Sequence, residues 1–208
     1  MDAGSPRPHP SPPLPRIGLA SRSPRRAELL SRLGLDFFVH VPEVDESVEP
    51  GEAPAVVAQR LARRKAEFAV EEGALVIGCD TLVVHRDAIL GKPASEAEAI
   101  AMLGRLQGDS HEVYTGVAIA APGQVESHVE CTRVWFRSLD PRECQEYVAT
   151  TEPMDKAGAY GIQGFGAAIV ERIEGDYFNV MGLPIQRLLE LFRRFGWRYA
   201  FGRLVSLK

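Results

Sequence analysis

"ALVIGCD", Ala74–Asp80, is the stretch on which the fold turns. It is a continuous apolar run ending in a carboxylate. A strand without polar alternation has no face to offer water, so it belongs in the middle of a sheet covered on both sides. An acid at its carboxyl end points into the crevice where open α/β sheets bind ligands. There Asp80 is a candidate general base for water or an oxygen ligand for a divalent metal; the plain alternative is a turn cap.

Strands and helices alternate on either side of this run. Upstream, Ile17–Ala20 reads as a first strand. Ser23-Pro24 follows as N-cap and first helical position, because serine can bond a free amide and proline has none to leave unpaired. Leu29, Leu30 and Leu33 supply that helix's buried face, and Gly34 ends it. "DFFVHV" (36–41) is a second strand and "PEVDESVEPGEAP" (42–54) an acidic loop. Residues 54–72 form a long helix with Val57, Leu61 and Phe68 inward. Downstream, "TLVVHRDAILGKP" (81–93) looks like a short hairpin. A helix over 95–106 and two strands joined at Pro122-Gly123 follow. Asp140-Pro141 caps a further helix, and "DKAGAYGIQGFG" (155–166) is a glycine-rich loop. "AAIVERIEG" (167–175) is a strand, and 184–195 is the last amphipathic helix. This irregular alternation predicts a mixed α/β architecture, a twisted sheet flanked by helices with a central cleft.

Composition narrows the chemistry. With 208 residues, 45% hydrophobic and 25% charged, the chain suits one domain with a substantial core. That domain is expected over 16–208, after a proline-rich, disordered leader over the first fifteen residues that lacks a signal-peptide core. A net charge of -4 argues against nucleic-acid binding through bulk electrostatics, so any polyanion must be held by a local cluster. No run approaches the roughly 20 apolar residues that cross a bilayer. Three scattered cysteines, Cys79, Cys131 and Cys144, suit buried or idle thiols in a reducing cytoplasm better than a disulfide framework or a zinc site.

"ASRSPRR", Ala20–Arg26, is the local cluster to examine. A strand, a tight turn and a helix start present free amides to an anion. Ser21 and Ser23 add hydroxyls, and Arg25 and Arg26 add forked donors that match phosphate. The bland reading is a solvated helix start. Asp45 and Glu46 in the acidic loop can hold a divalent ion, though such loops are usually just solvated. Lys65 follows Arg63 and Arg64 on a helix whose charges are normally solvated, and Lys92 in "LGKP" is kept extended by the following proline. In "DKAGAYGIQG" small residues let backbone approach a ligand, while Tyr160 and Gln163 can stack or make paired hydrogen bonds. His111 has no local Cys or His partner and reads as structural. Cys79 has no activating base, and no nucleophile motif is present.

Together "LASRSPRRAELL", "EVDE", "RLARRKA", "IGCDTLV", "LGKP", "GDSHEVYTG", "EPMDKAGAYGIQGFGA" and "GDYFNVMGLP" resemble, in order from about Ile17 to Phe195, the motifs of Maf-like nucleoside triphosphate pyrophosphatases. The resemblance implies a Maf/ITPase-like fold, hydrolysis of nucleoside triphosphates to monophosphate and pyrophosphate, and a housecleaning role with an association to septum formation. It implies a divalent metal, Mg²⁺ or Mn²⁺, for which Asp80 and Glu46 are the candidate ligands. Asp80 matches the proton acceptor; Ser21, Arg25, Arg26, Lys65 and Lys92 match substrate-binding positions. Arg25, Thr81 and Gln163 match positions tied to substrate choice, and "SPRR", "DT" and "DKAGAYGIQ" look like the dTTP/UTP branch. A homodimer is the family expectation. A regulatory or nucleic-acid-binding module linked to division is the competing class, disfavoured by the acidic balance and the absence of a basic stripe.

Overall fold

The central apolar run is the first half of a longer strand. The computed structural model describes residues 14–41, 43–49 and 51–207, so the expected leader lies outside them except for Leu14 and Pro15. The chain opens with β1 (Arg16–Ala20), α1 (Pro24–Arg32), β2 (Phe38–Val39), α2 (Pro54–Phe68) and β3 (Ala74–His85). There follow β4 (Ala88–Leu90), α3 (Glu96–Leu106), β5 (Ser110–Ala121), β6 (Gln124–Phe136) and α4 (Pro141–Ala149). The chain ends with β7 (Val170–Glu174), α5 (Tyr177–Met181), α6 (Ile185–Arg194), β8 (Trp197–Tyr199) and β9 (Leu204–Ser206).

The main sheet runs β2-β1-β3-β5-β6-β7, with β4 also on β3. β1 and its two neighbours are parallel, and the pairings from β3 to β5, β6 and β7 are antiparallel. The mixed α/β architecture predicted from sequence is therefore present. β3 and β5 are long because each holds the other from Val76 to Val84.

Helices cover both faces. On one, α1 and α6 bury Leu29, Leu30, Leu188, Leu191 and Phe192 against Leu19, Ile77, Val117 and Ile119. A second core gathers Leu103 and Leu106 of α3 and Tyr147 and Val148 of α4 around Val113, Val134 and Phe136. On the opposite face α2 lies directly on β3 and β5. A Cβ on Gly78 would stand 2.5 Å from the Ala66 amide nitrogen, and one on Gly116 would stand 2.8 Å from that of Gln59. Only glycine allows helix backbone to come so close to sheet backbone.

Several expectations are corrected. The second strand is only Phe38–Val39, and the long helix ends at Phe68, not residue 72. Phe68, expected inward, is exposed, because Ala66 and Ala69 take the sheet-facing positions of the last turn and leave the Phe68 ring beside them, edge-on to His40. Ser23 is the N-cap of α1 but its side chain makes no capping bond. Ser21 Oγ instead accepts from the Ser23 amide. The glycine-rich loop contains short 3₁₀ turns at Glu152–Asp155, Ala157–Ala159 and Gly164–Ala168. The helix α5 and the β8–β9 hairpin were not anticipated. Among the described residues no helix is long and apolar enough to cross a membrane.

Candidate active site

Pairing along one edge of β3 is interrupted. β1 accompanies it as far as Gly78, and β4 joins only at Val83. Residues 79–82 have no strand on that edge, and a cleft of about 1390 Å³ opens there. Of the residues nominated from sequence its lining includes Ser21, Arg25, Arg26, Glu46, Lys65, Asp80, Thr81, Lys92 and Gln163, but not Asp45. Asp80 is in mid-strand, not at a strand end, because β5 carries β3 onward. It nonetheless stands just past the carboxyl end of the parallel pairing, which is what the crevice argument requires.

Asp80 and Lys65 form the floor. Lys65 Nζ donates to Asp80 Oδ1 at 2.6 Å and lies 2.8 Å from Glu46 Oε1. Both Lys65 and Asp80 are buried, whereas Glu46 is on the exposed acidic loop. Lys65 is thus no part of a solvated face. The glycines at 78 and 116 bring α2 down onto the strand that carries Asp80. The expected partner of Glu46, Asp45, turns away: it accepts from the amide and hydroxyl of Ser47.

The two arginines of α1 are used differently. Arg26 donates from Nε to the Gly182 carbonyl (2.8 Å), from Nη1 to Ser21 Oγ (2.9 Å) and from Nη2 to Thr81 Oγ1 (3.0 Å). All three of its nitrogens are engaged by protein, and Thr81 continues the chain to Thr115, which bonds the Asn179 carbonyl. Among the described residues Arg25 gives only Nη1, to Asp155 Oδ2 at 2.8 Å. Lys92 is exposed at the rim and has no ion pair among the described residues.

Two acidic side chains brace the loop opposite. Glu152 accepts from the amides of Phe165 and Gly166 and from the Tyr147 hydroxyl. Burial pushes its carboxyl up, but these three bonds outweigh that and leave it below the ordinary value. For Asp155, burial is likewise outweighed by hydrogen bonds from Lys156 and Arg25, so it is ionised at neutral pH. Gly164, at φ +62°, faces the Glu152 carboxylate and has no room for a side chain. Gln163 is half-buried, and its amide has no hydrogen-bond partner among the described residues.

A family model for Maf-like protein matches residues 16–195. The chain belongs to the Maf-like family. It is 51% identical over 181 residues to the dTTP/UTP pyrophosphatase of Symbiobacterium thermophilum (strain DSM 24528 / JCM 14929 / IAM 14863 / T), covering 86% of this chain and 93% of the relative. Similarity to the dTTP/UTP pyrophosphatase of Geobacillus sp. (strain WCH70) is 50% over 181 residues, 86% and 97% of the two chains. For the protein of that name in Bacillus cereus (strain AH820) it is 47% over 182 residues, 86% and 95%.

This Maf-like chain offers a metal two carboxylates and no cage. Among the described residues no three His, Cys, Asp or Glu side chains gather in a metal-ligand group. Asp80 and Glu46 both face the Lys65 ammonium, so cation-holding carboxylates do converge there. Such a pair suits Mg²⁺, which keeps its waters and is commonly held by one or two carboxylates together with substrate phosphates.

Three further groups at the site escaped sequence reasoning. Arg22 and Lys156 line the cleft, and Asp155 both lines it and ties Arg25 down. Lys156 stands in "DKAGAYG", where a single cation among small residues has no local mark of a cleft position. Tyr160, expected to stack on a ligand, is instead mostly spent on packing. Its hydroxyl is 2.7 Å from His111 Nε2, and its ring meets His111 and Phe136 edge-on. His111 is structural, as expected. Cys79 and Cys144 are buried, while Cys131 is exposed.

Proposed function

We propose that this cleft hydrolyses pyrimidine nucleoside triphosphates, dTTP and UTP, to the monophosphate and pyrophosphate. The observation that carries the reading is the buried Lys65–Asp80 pair in the gap of the sheet, with cations on the walls around it. The names of relatives half identical over nearly their whole length support the same chemistry.

Asp80 accepts the proton of the water that attacks the α-phosphorus. Its Oδ1 is fixed by Lys65, which orients the carboxylate and leaves Oδ2 to take the proton. General-base assistance of this kind contributes roughly 10²- to 10⁴-fold. Lys65 and Lys92 offset the charge that builds on the departing pyrophosphate. Arg25 adds its unengaged nitrogens, while Arg26 holds Ser21 and Thr81 in place. A divalent cation held by Asp80 and Glu46 would supply further neutralisation of phosphate charge.

Gln163 selects the base. Held in one orientation by the bound base and the loop, its amide accepts from N3–H and donates to O4 of uracil or thymine, a pattern that cytosine reverses, so a fixed amide disfavours cytosine. The whole chain, lacking a basic stripe, works on the free nucleotide in this reading, in the cytoplasm and as a homodimer. Pyrophosphate release is the test, measured for dTTP, UTP, CTP, ATP and 7-methyl-GTP with and without Mg²⁺. dTTP and UTP should lead; no release from any nucleotide would refute the enzyme reading and favour a binding module.

A further inference from the structure

The structure assigns Asp155 as a positioning residue that sets substrate choice by locking Arg25 to the base-reading loop. This rests on the pyrophosphatase reading of the cleft. Arg25 stands in the first turn of α1 on the wall of the cleft, and Asp155 is 130 residues further along the chain. Among the described residues their 2.8 Å contact is the sole hydrogen bond joining α1 to residues 152–168.

Asp155 holds two cations with its two oxygens. Oδ2 accepts from Arg25, and Oδ1 accepts from Lys156 Nζ at 2.7 Å. Lys156 also donates to the Glu152 carbonyl, and its stem lies over Gly161, where a Cβ would meet Lys156 Cδ at 3.2 Å. Gly161 is two residues from Gln163. One carboxylate therefore contacts, through Arg25 on one side and Lys156 on the other, two walls of the cleft that Gln163 also lines.

The economy of donors points the same way. Arg26 engages all three nitrogens with protein, whereas among the described residues Arg25 engages one, leaving Nε and Nη2 to whatever occupies the cleft. A guanidinium is a rigid fork, so anchoring one tine fixes the direction of the others. Released from Asp155, Arg25 would swing as a long exposed side chain and meet any triphosphate equally well. Held there, it faces the loop side of the cleft, the side of Gln163, to which the proposed function assigns the base. Arg25 thereby contributes to choice among nucleotides and not merely to affinity for phosphate.

The experiment compares kcat/KM for UTP and CTP in the native protein, Asp155→Ala, Asp155→Asn, Asp155→Glu, Arg25→Ala and the Asp155→Ala/Arg25→Ala double variant. Thermal melts confirm folding, and the isosteric Asp155→Asn serves if the alanine variant is unstable. Asp155→Ala should lower UTP turnover about three- to tenfold while changing CTP little, as expected for loss of a partly exposed charge pair. Asp155→Glu should recover most of the UTP preference, and the double variant should be no worse than Arg25→Ala, because the two residues act as one unit. An equal loss on UTP and CTP, or additive losses in the double variant, overturns the assignment. Native protein that releases pyrophosphate from neither nucleotide overturns the enzyme reading and this assignment with it.

Discussion

Lys65 Nζ lies 2.6 Å from Asp80 Oδ1, and each side chain is only 11% exposed. A charge pair so enclosed is stable only as a pair, because either member left alone must be desolvated without compensation. Function and stability are therefore coupled at this contact. Asp80→Asn keeps the shape and an acceptor for Lys65 but removes the base. Turnover should fall by at least about 10²-fold while a non-hydrolysable UTP analogue still binds in a titration. Lys65→Met removes the cation and leaves Asp80 facing Glu46 across an apolar side chain. It should weaken binding of the analogue as well as turnover. Full activity in Asp80→Asn would remove Asp80 from the mechanism.

Arg26 is a brace. Three protein acceptors on three nitrogens fix the turn after β1, the wall residue Thr81 and the end of α5 at Gly182 in one arrangement. Arg26→Lys keeps the charge but cannot reach three divergent acceptors from one ammonium. It should cost about 2 kcal/mol of stability in urea unfolding and slow UTP and CTP turnover alike. A variant that melts like the native protein, yet binds nucleotide poorly, would instead make Arg26 a phosphate ligand.

The contrast between these residues shows what was legible. Asp80 was readable because a run of apolar residues ending in an acid has few places to go in an α/β fold. Lys65 also left a trace: Val57, Leu61 and Lys65 recur at every fourth position, so the lysine continues the inward stripe of α2. The adjacent arginines masked it. Phe68 falls just off that stripe, which continues at the buried Ala69, so a large apolar side chain stands exposed at its flank while a small one faces the sheet. No local signal marks Ser21 as the acceptor from the Ser23 amide in place of a Ser23 cap, or the partners of Arg25 and Arg26. Two arginines side by side carry no mark of which will find acceptors 156 residues away. The β8–β9 hairpin was missed because three-residue strands have too short a period to show.

His111 gives the fold an acid-sensitive joint. It is 2% exposed, and burial pushes its imidazole down to about 3, with repulsion from His85 adding to the effect. In the unfolded chain the same ring takes up a proton near pH 6.5. Between these values the unfolded state binds more protons, so its contribution to stability is complete above about pH 6.5 and is lost as pH falls toward 3. Urea unfolding at pH 6.5 and 4.5 should show a drop of about 2–3 kcal/mol attributable to this ring. His111→Gln, which cannot titrate, should be less stable at neutral pH but lose correspondingly less on acidification. Parallel losses in the two proteins would rule out His111 as the source.

Gly116 ties the fold to the chemistry. It is the β5 partner of Asp80 in the sheet register, and the backbone of α2 at Ala58 and Gln59 rests where its Cβ would be. Gly78, two residues before Asp80, is in the same position beneath Ala62 and Ala66. The obstructing atoms belong to a helix backbone, which cannot rotate aside as a flexible side-chain end can. Gly116→Ala must therefore lift α2 from the sheet or displace β5, with an overpacking cost of about 1–3 kcal/mol or more. Lifting the helix moves Lys65 away from Asp80. The variant should lose turnover by far more than its folded fraction explains, and Gly78→Ala should do the same. Gly91→Ala, at a cleft-lining glycine where a Cβ would meet nothing, is the control and should remain stable. If Gly116→Ala folds stably and turns over UTP at the native rate, the helix approach is not what sets the Lys65–Asp80 distance.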